Sequence, residues 1–145
     1  MLLLPKKISG FFEKNDCFKH IDTKIFKQIC YGMVEKKQGK LLNIDSSLNR
    51  KNFYVAEIQF KNKKYYLLMN AYYSYIAFAS SIENGIIRFI DKPDDCICGE
   101  YIILTLKELN MDYQMSIERL GKTELAQIKY WKPGNIGEII FNFWD

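Results

Sequence analysis

The chain has 145 residues, of which 48% are hydrophobic and 15% aromatic, and its formal net charge is +4. This composition excludes an intrinsically disordered protein, because a chain of this length and apolar content buries enough surface to fold. Polar residues interrupt every apolar run well before about 18 residues, which excludes a membrane-spanning helix. We therefore expect a single domain over residues 1–145.

The first ten residues, MLLLPKKISG, indicate the compartment. Only three leucines precede the proline and the lysine pair, which is too short an apolar core for a secretory signal peptide. The four cysteines, Cys17, Cys30, Cys96 and Cys98, are therefore expected to be reduced thiols. We expect a cytoplasmic protein.

The charges are distributed unevenly along the chain. Residues 1–64 carry 14 Lys and Arg against 6 Asp and Glu, whereas residues 65–145 carry 7 against 11. If this polarity persists after folding, one surface would attract an oppositely charged partner. An ordinary solvated surface is the alternative interpretation.

The first long helix is predicted to begin at Asp22, whose carboxylate caps the first turn, with Ile21 and Phe26 as a hydrophobic staple. A helical apolar repeat follows, and Gly39 is expected to end the helix. The predicted buried stripe consists of Ile25, Phe26, Ile29, Cys30, Met33 and Val34.

Strand patterns begin at Phe53. Alternating apolar residues over 53–60, a polar turn at 61–63 and an apolar run over 65–69 predict a β-hairpin. A third strand is predicted over residues 72–79. The pair Asn84-Gly85 before residues 86–90 is typical of a two-residue hairpin turn, because both positions tolerate positive φ. With a further strand over 101–106, an antiparallel meander of about five strands results.

The C-terminal part predicts two helices. Residues 123–130 are rich in helix formers and end at Trp131 and Pro133. Asn135 and Glu138 have capping-box spacing, and the apolar positions from residue 136 to Trp144 form one face of a last helix, with residue 142 on the opposite face. Because helix, strands and helices form separate blocks, the sequence predicts an α+β fold with helices packed on one face of the sheet.

Motifs for enzymatic chemistry are missing from the sequence. It contains no glycine-rich phosphate loop, dinucleotide fingerprint or nucleophile elbow, so we expect no cofactor and no enzymatic activity. His20 is the only histidine, and Cys17 lies three residues before it, but no known motif surrounds the pair. A small enzyme built on these two side chains is an alternative.

The segment DKPDDCICGE, residues 91–100, combines four carboxylates with two thiols. A second cysteine pair or a histidine cluster would be needed to complete a zinc site, so we expect no bound metal. We interpret the carboxylates instead as a recognition patch for a basic partner. The candidate partner-binding residues are Asp91, Asp94, Asp95 and Glu100, with Glu83 nearby.

A nucleic-acid-binding sheet is a further alternative, because basic residues flank aromatic strands. The basic residues are Lys51, Lys61, Lys63 and Lys64, and the aromatic ones are Phe53, Tyr65, Tyr66, Tyr72 and Tyr73. Strand aromatics usually fill cores, and no RNA-recognition signature is present. We therefore expect nucleic acid not to be the partner.

The C-terminal segment ELAQIKYWKPGNIGEIIFNFWD, residues 124–145, resembles the tail of small bacterial immunity proteins of polymorphic or contact-dependent toxin systems. The YWKP turn and the ending GEIIFNFWD carry the resemblance. It implies a cytoplasmic, non-catalytic protein that binds one cognate toxin domain, often a nuclease, and occludes its active site. Because nuclease sites are basic, acidic residues would make the contact. Another protein-interaction module is the alternative.

Overall fold

The computed structural model describes residues 2–13, 19–36, 38–93 and 101–144. Its elements, in chain order, are α1 (Thr23–Lys36), β1 (Lys40–Asp45), β2 (Phe53–Phe60), β3 (Lys63–Asn70), β4 (Tyr75–Glu83), β5 (Ile86–Ile90), β6 (Ile102–Ile103), α2 (Leu106–Leu109), α3 (Lys122–Trp131) and α4 (Gly137–Ile140). Strands β1 to β5 form an antiparallel meander in that order, and β6 pairs in parallel with β4. The predicted α+β fold is confirmed.

Helix α1 begins as predicted. Oδ1 of Asp22 accepts a hydrogen bond from the backbone N of Lys24 at 2.9 Å, which pairs one of the free amides of the first turn. The buried residues of the helix are Phe26, Ile29, Cys30, Met33 and Val34. Ile25 was wrongly included in this stripe, because its side chain is 45% exposed.

The end of α1 differs from the prediction. Gln38 adopts the left-handed conformation, with φ of 53°, and the backbone N of Gly39 donates to the carbonyl of Val34 at 2.7 Å. The left-handed residue at the helix end is thus Gln38 and not Gly39. Glycine is required at position 39 because a Cβ there would lie 2.5 Å from Cδ1 of Phe60 and 2.7 Å from the backbone O of Gln59. The chain then passes directly into β1.

Strand β1 was not predicted. Among the described strands it lies at the edge of the sheet and pairs with β2 alone, and a register shift interrupts this pairing between Leu41 and Asn43. Its side chains alternate poorly between buried and exposed positions. An edge strand with a register shift produces no clear period of two in the sequence.

Two tight turns determine the register of the central strands. Lys61 and Asn62 have φ of 48° and 67°, and Asn84 and Gly85 have φ of 53° and 76°. Positive φ at both central positions defines the hairpin turn whose twist matches that of the flanking strands. The predicted turn at residues 84–85 is therefore confirmed.

Both faces of the sheet are covered, so the prediction that the helices share one face is wrong. Alternate residues of β2 to β4 enter two different cores. The core beneath α1 includes Tyr54, Ile58, Leu67, Met69, Ile76 and Phe78. The core on the opposite face includes Phe53, Leu68, Ala77 and Ala79 from the sheet, with Leu4, Ile8, Ile128, Ile139 and Ile140 from the terminal segments. Burial on both faces explains the continuous apolar run in β3.

The strand predicted over residues 101–106 is reduced to two residues. Tyr75 pairs with Ile102, and the next residues of the two strands pair likewise, in parallel. A capping box then begins α2, because Oγ1 of Thr105 accepts from N of Glu108 at 3.1 Å and N of Thr105 donates to Oε1 of Glu108 at 3.0 Å. The five-stranded meander is completed by β1 instead.

The last helix is shorter than predicted. Half of the predicted capping box is present, since N of Glu138 donates to Oδ1 of Asn135 at 3.0 Å, but Oε2 of Glu138 accepts from N of Gly134 instead of from N of Asn135, and the helix begins one residue later than predicted. The helix ends after one turn, where Phe141 has φ of −125° and ψ of 92°. Asn142, predicted on the exposed face, is consequently 3% exposed.

Three buried asparagines, which we call the asparagine network, join both terminal segments to the sheet. Nδ2 of Asn70 donates to the carbonyls of Ile8 and Ile140 at 2.9 and 2.7 Å. Nδ2 of Asn52 donates to the same two carbonyls at 2.9 and 3.0 Å. The backbone N of Asn142 donates to Oδ1 of Asn52 at 2.8 Å. Side chains thus satisfy backbone carbonyls that have no sheet partner.

A buried carboxylate holds the N-terminal segment on α3. Glu124 is 1% exposed, and its two oxygens accept from N of Lys7 at 2.7 Å and from Oγ of Ser9 at 2.6 Å. A second carboxylate, Glu13 of the N-terminal segment, binds α3 in turn: its Oε1 accepts from N of Thr123, in the first turn of the helix, at 2.8 Å. Carboxylates at a helix start pair free amides and interact favourably with the helix dipole.

The two glycines at Gly39 and Gly32 give a matched pair of stability predictions. Gly39→Ala should lower the free energy of unfolding by about 1–3 kcal/mol, because the new Cβ overlaps Phe60 and the Gln59 backbone. Gly32→Ala should raise it by about 0.5–1 kcal/mol, because the site lies inside α1 and, apart from adjacent residues and the backbone of the helix itself, no heavy atom lies within 4 Å of the new Cβ. Urea unfolding measures both, and a stabilised Gly39→Ala would contradict the close contact.

The asparagine network gives a second prediction. Asn70→Ala should lower the free energy of unfolding by about 2–4 kcal/mol, because the backbone amides of Tyr72 and Tyr73 lose their side-chain acceptor and the carbonyls of Ile8 and Ile140 keep only the amide of Asn52 as a side-chain donor. The control is Asn43→Ala on the exposed part of β1, which should change stability by less than about 0.5 kcal/mol. Equal effects of the two substitutions in urea unfolding would show that the network is not stabilising.

Candidate functional site

The acidic residues predicted to bind a partner do not form one patch among the residues described. Glu83 is exposed at the end of β4, where it pairs with Ile86. Asp91 follows the opposite end of β5, five residues after Ile86. At about 3.4 Å per residue, the backbone positions of Glu83 and Asp91 are therefore roughly 17 Å apart along the strand. Oδ1 of Asp91 accepts from N of Leu106 at 2.8 Å and so helps to cap α2. Asp94, Asp95 and Glu100 lie outside the described residues.

Among the described residues, no cysteine and histidine are paired as a nucleophile and its base. His20 is exposed, and its Nδ1 lies 3.1 Å from the hydroxyl of Tyr54. Burial raises the pKa of the Cys30 thiol to about 12, partly offset by a backbone hydrogen bond, so this thiol stays protonated at neutral pH. Cys17, Cys96 and Cys98 lie outside the described residues.

Two further observations concern metals and membranes. Within residues 2–13, 19–36, 38–93 and 101–144, no group of three or more His, Cys, Asp and Glu side chains is placed to hold a metal ion. No helix in the described part of the chain is long and apolar enough to cross a bilayer.

The basic residues of the nucleic-acid alternative lie at opposite ends of the sheet. Lys51 precedes β2, whereas Lys61, Lys63 and Lys64 surround the turn that follows it. The eight residues of β2 separate the two groups by about 27 Å. Phe53, proposed to stack on a base, is 1% exposed and belongs to a core.

A group of aromatic side chains lies on the surface where the two termini meet, and we call it the aromatic cluster: Phe11, Tyr130, Trp131 and Trp144. The two tryptophan rings are stacked in parallel with centroids 6.3 Å apart, and Tyr130 and Phe11 contact opposite ends of this stack at 5.2 and 6.4 Å. Tyr130 is 76% and Trp131 39% exposed. Nε1 of Trp131 donates to Oε1 of Gln127 at 2.9 Å, which orients the ring.

A cavity of about 430 Å³ lies beside the aromatic cluster, at the end of the sheet where β2 and β4 begin. Its walls include the aromatic side chains of Phe11, Tyr72 and Trp144 and the basic side chains of His20, Arg50 and Lys51. The asparagine network forms part of its floor through Asn52 and Asn142. The N-terminal segment, the β1–β2 loop, the β3–β4 loop and the C-terminal segment all contribute.

Lys51, on the rim of this cavity, forms an ion pair with Asp45, which does not line it. Nζ of Lys51 lies 2.8 Å from Oδ2 of Asp45. Burial raises the pKa of the Asp45 carboxyl, but hydrogen bonds from Lys51 and from the backbone of Ser47, with the charge of Lys51, outweigh it and hold the pKa below its usual value. Burial and the charge of Tyr54 raise the pKa of Tyr72 to about 12, so this wall residue keeps its hydroxyl proton at neutral pH.

The aromatic cluster was not found from the sequence. Trp144 was predicted on the apolar face of the last helix, and it does pack partly against the core, but it also lines the cavity. The available signal was the adjacent pair Tyr130 and Trp131 at the end of a polar helix. Neighbouring residues on a helix point about 100° apart, so two bulky rings there do not both reach a core on one side.

Neither a scan against protein-family models nor searches of curated proteins and of solved structures found a match to this chain.

Proposed function

We propose that this protein is a non-catalytic immunity protein that binds a cognate bacterial toxin domain and blocks its active site. The observation that carries the proposal is the aromatic cluster, with Tyr130 76% and Trp131 39% exposed on a folded surface. Tyrosine and tryptophan are enriched among the few residues that dominate the binding energy of protein interfaces. Contact between such a group of rings and water is unfavourable, and a partner surface that covers the rings removes this contact.

The same residues carry the resemblance to immunity proteins. Tyr130 and Trp131 belong to the YWKP turn, and Trp144 belongs to the ending FNFWD. In the fold, these two short segments meet in the tryptophan stack. The resemblance and the exposed surface therefore support the same site.

The cluster is preorganised for binding. The hydrogen bond from Trp131 to Gln127 and the parallel stack on Trp144 restrict the ring before any partner arrives. Side chains that are already ordered lose less conformational entropy in a complex. The smaller loss of conformational entropy favours tight binding even by a small surface.

The charges around the cluster indicate the chemistry of the partner surface. Lys129 and Lys132 are exposed on either side of the Tyr130 and Trp131 pair. The partner surface proposed for the cluster is thus apolar with an acidic rim. The predicted acidic residues, Glu83 and Asp91 among them, would contact a different, basic part of the toxin.

The proposal predicts that a neighbouring reading frame encodes the toxin domain, and binding to that domain tests it. Trp131→Ala should weaken its binding at least about 30-fold, as measured by calorimetry, because loss of an interfacial anchor of this kind costs about 2 kcal/mol or more. The control is Leu42→Ala, which removes a side chain that is 46% exposed on β1, on the side of α1. It should leave the affinity within about twofold of the wild-type value.

A charge reversal distinguishes the two candidate surfaces. If Asp94→Lys with Asp95→Lys abolishes binding while Trp131→Ala does not, the acidic residues form the interface and the cluster does not. If the wild-type chain neither binds the domain nor restores the growth of cells that express it, the proposed function is wrong.

A further inference from the structure

We infer that the cavity beside the aromatic cluster is a binding site for a small organic anion that carries an aromatic ring, of the nucleoside phosphate class. The cavity shares Phe11 and Trp144 with the aromatic cluster, but ligand binding is measured without a toxin, so the inference can succeed or fail independently of the proposed function. The cavity volume, about 430 Å³, falls in the range of about 300–1,000 Å³ that is typical of small-molecule sites.

The aromatic walls supply a surface for a planar ring. Phe11, Tyr72 and Trp144 line the cavity from three separate segments of the chain. Trp144 is held from behind by the parallel ring of Trp131, and Phe11 lies 6.4 Å from it at an angle of 37°. Nucleobases stack on such rings whatever their hydrogen-bonding pattern, because every base has a π face.

The basic side chains supply the attraction for a phosphate. Arg50 and Lys51 bring two cationic side chains to this rim, and the imidazole of His20 lines it as well. Arg50 is exposed at the mouth and has φ of 62°, in the left-handed region. A guanidinium presents two parallel N–H groups to a phosphate, which makes it the better suited of the cationic side chains to bidentate binding.

The polar side chains on the floor of the cavity already form hydrogen bonds within the protein, so the residues of the rim must bind the ligand. Nδ2 of Asn142 donates to the carbonyls of Ser9 and Ile139, and Nδ2 of Asn52 donates to other backbone carbonyls. Their side-chain oxygens accept from backbone amides. Since these amides are engaged in holding the fold, the anionic group and the ring face determine affinity, and the identity of the base matters little.

The test uses the fluorescence of Trp144. The chain has two tryptophans, so in a Trp131→Phe background, which keeps an aromatic ring against Trp144, Trp144 is the only tryptophan and reports directly on the cavity. Adenosine 5′-monophosphate should quench this fluorescence saturably, with half-saturation below about 1 mM, the affinity of a few favourable contacts. Adenosine and inorganic phosphate, tested separately, should each bind at least tenfold more weakly, because each lacks one half of the recognised chemistry.

Two matched variants identify the phosphate contact. Arg50→Asn should weaken binding at least tenfold, and asparagine tolerates the left-handed backbone at this position. Lys132→Asn is the control, because Lys132 is also a cation in the left-handed region, with φ of 51°, but does not line the cavity. It should leave the affinity within twofold of the parent value.

The wild-type chain, titrated by calorimetry at low and high salt, keeps the inference testable if a variant fails to fold. Weaker binding of the nucleotide at high salt would support it, since the contact with the phosphate is electrostatic. The inference is overturned if no saturable binding occurs up to about 10 mM, a concentration at which even very weak sites fill. It is also overturned if adenosine or phosphate alone binds as tightly as the nucleotide, or if Arg50→Asn and Lys132→Asn behave alike.

Discussion

Side-chain amides of the asparagine network take the place of backbone pairing where the central strands end. A buried carbonyl without a hydrogen bond is destabilising, and a primary amide has two donors, so one asparagine satisfies two carbonyls. Asn52 and Asn70 both donate to Ile8 and Ile140, which lie near opposite ends of the chain. The network therefore fixes both terminal segments over the same end of the sheet, and α4 ends at the residue whose carbonyl is used.

The surface proposed for function depends on this arrangement. Because both termini are held together, Phe11 and Trp144 lie 6.4 Å apart although they come from opposite ends of the chain. The Glu124 carboxylate fixes the N-terminal segment to α3, whose last residue is Trp131. The aromatic cluster and its cavity are thus by-products of how the fold closes, so loss of Asn52 would disturb both the site and the core.

Local signals predicted the elements with strong caps and turns. The start of α1 at Asp22 and the turn at Asn84 and Gly85 were correct, because a cap or a tight turn involves only residues a few positions apart. Strand β1 and the early end of α4 were missed. In β1 the register shift and the exposed edge remove the periodic pattern, and at Asn142 a hydrogen bond to Asn52 replaces the next helical turn. The acidic candidates followed from proximity in sequence, which says little about proximity in space.

The sequence by itself determined the fold class, the central strands, the start of α1 and the turn at Asn84 and Gly85, because those depend on periodicity and on contacts between near neighbours. Tertiary structure alone decided that helices cover both faces of the sheet, that residue 142 is buried, and that Tyr130 and Trp131 are exposed beside a cavity. A helical or strand pattern shows which side of an element is apolar, but whether an aromatic ring stays in water depends on which distant segment covers it. Here that choice is made by hydrogen bonds between residues far apart in the chain.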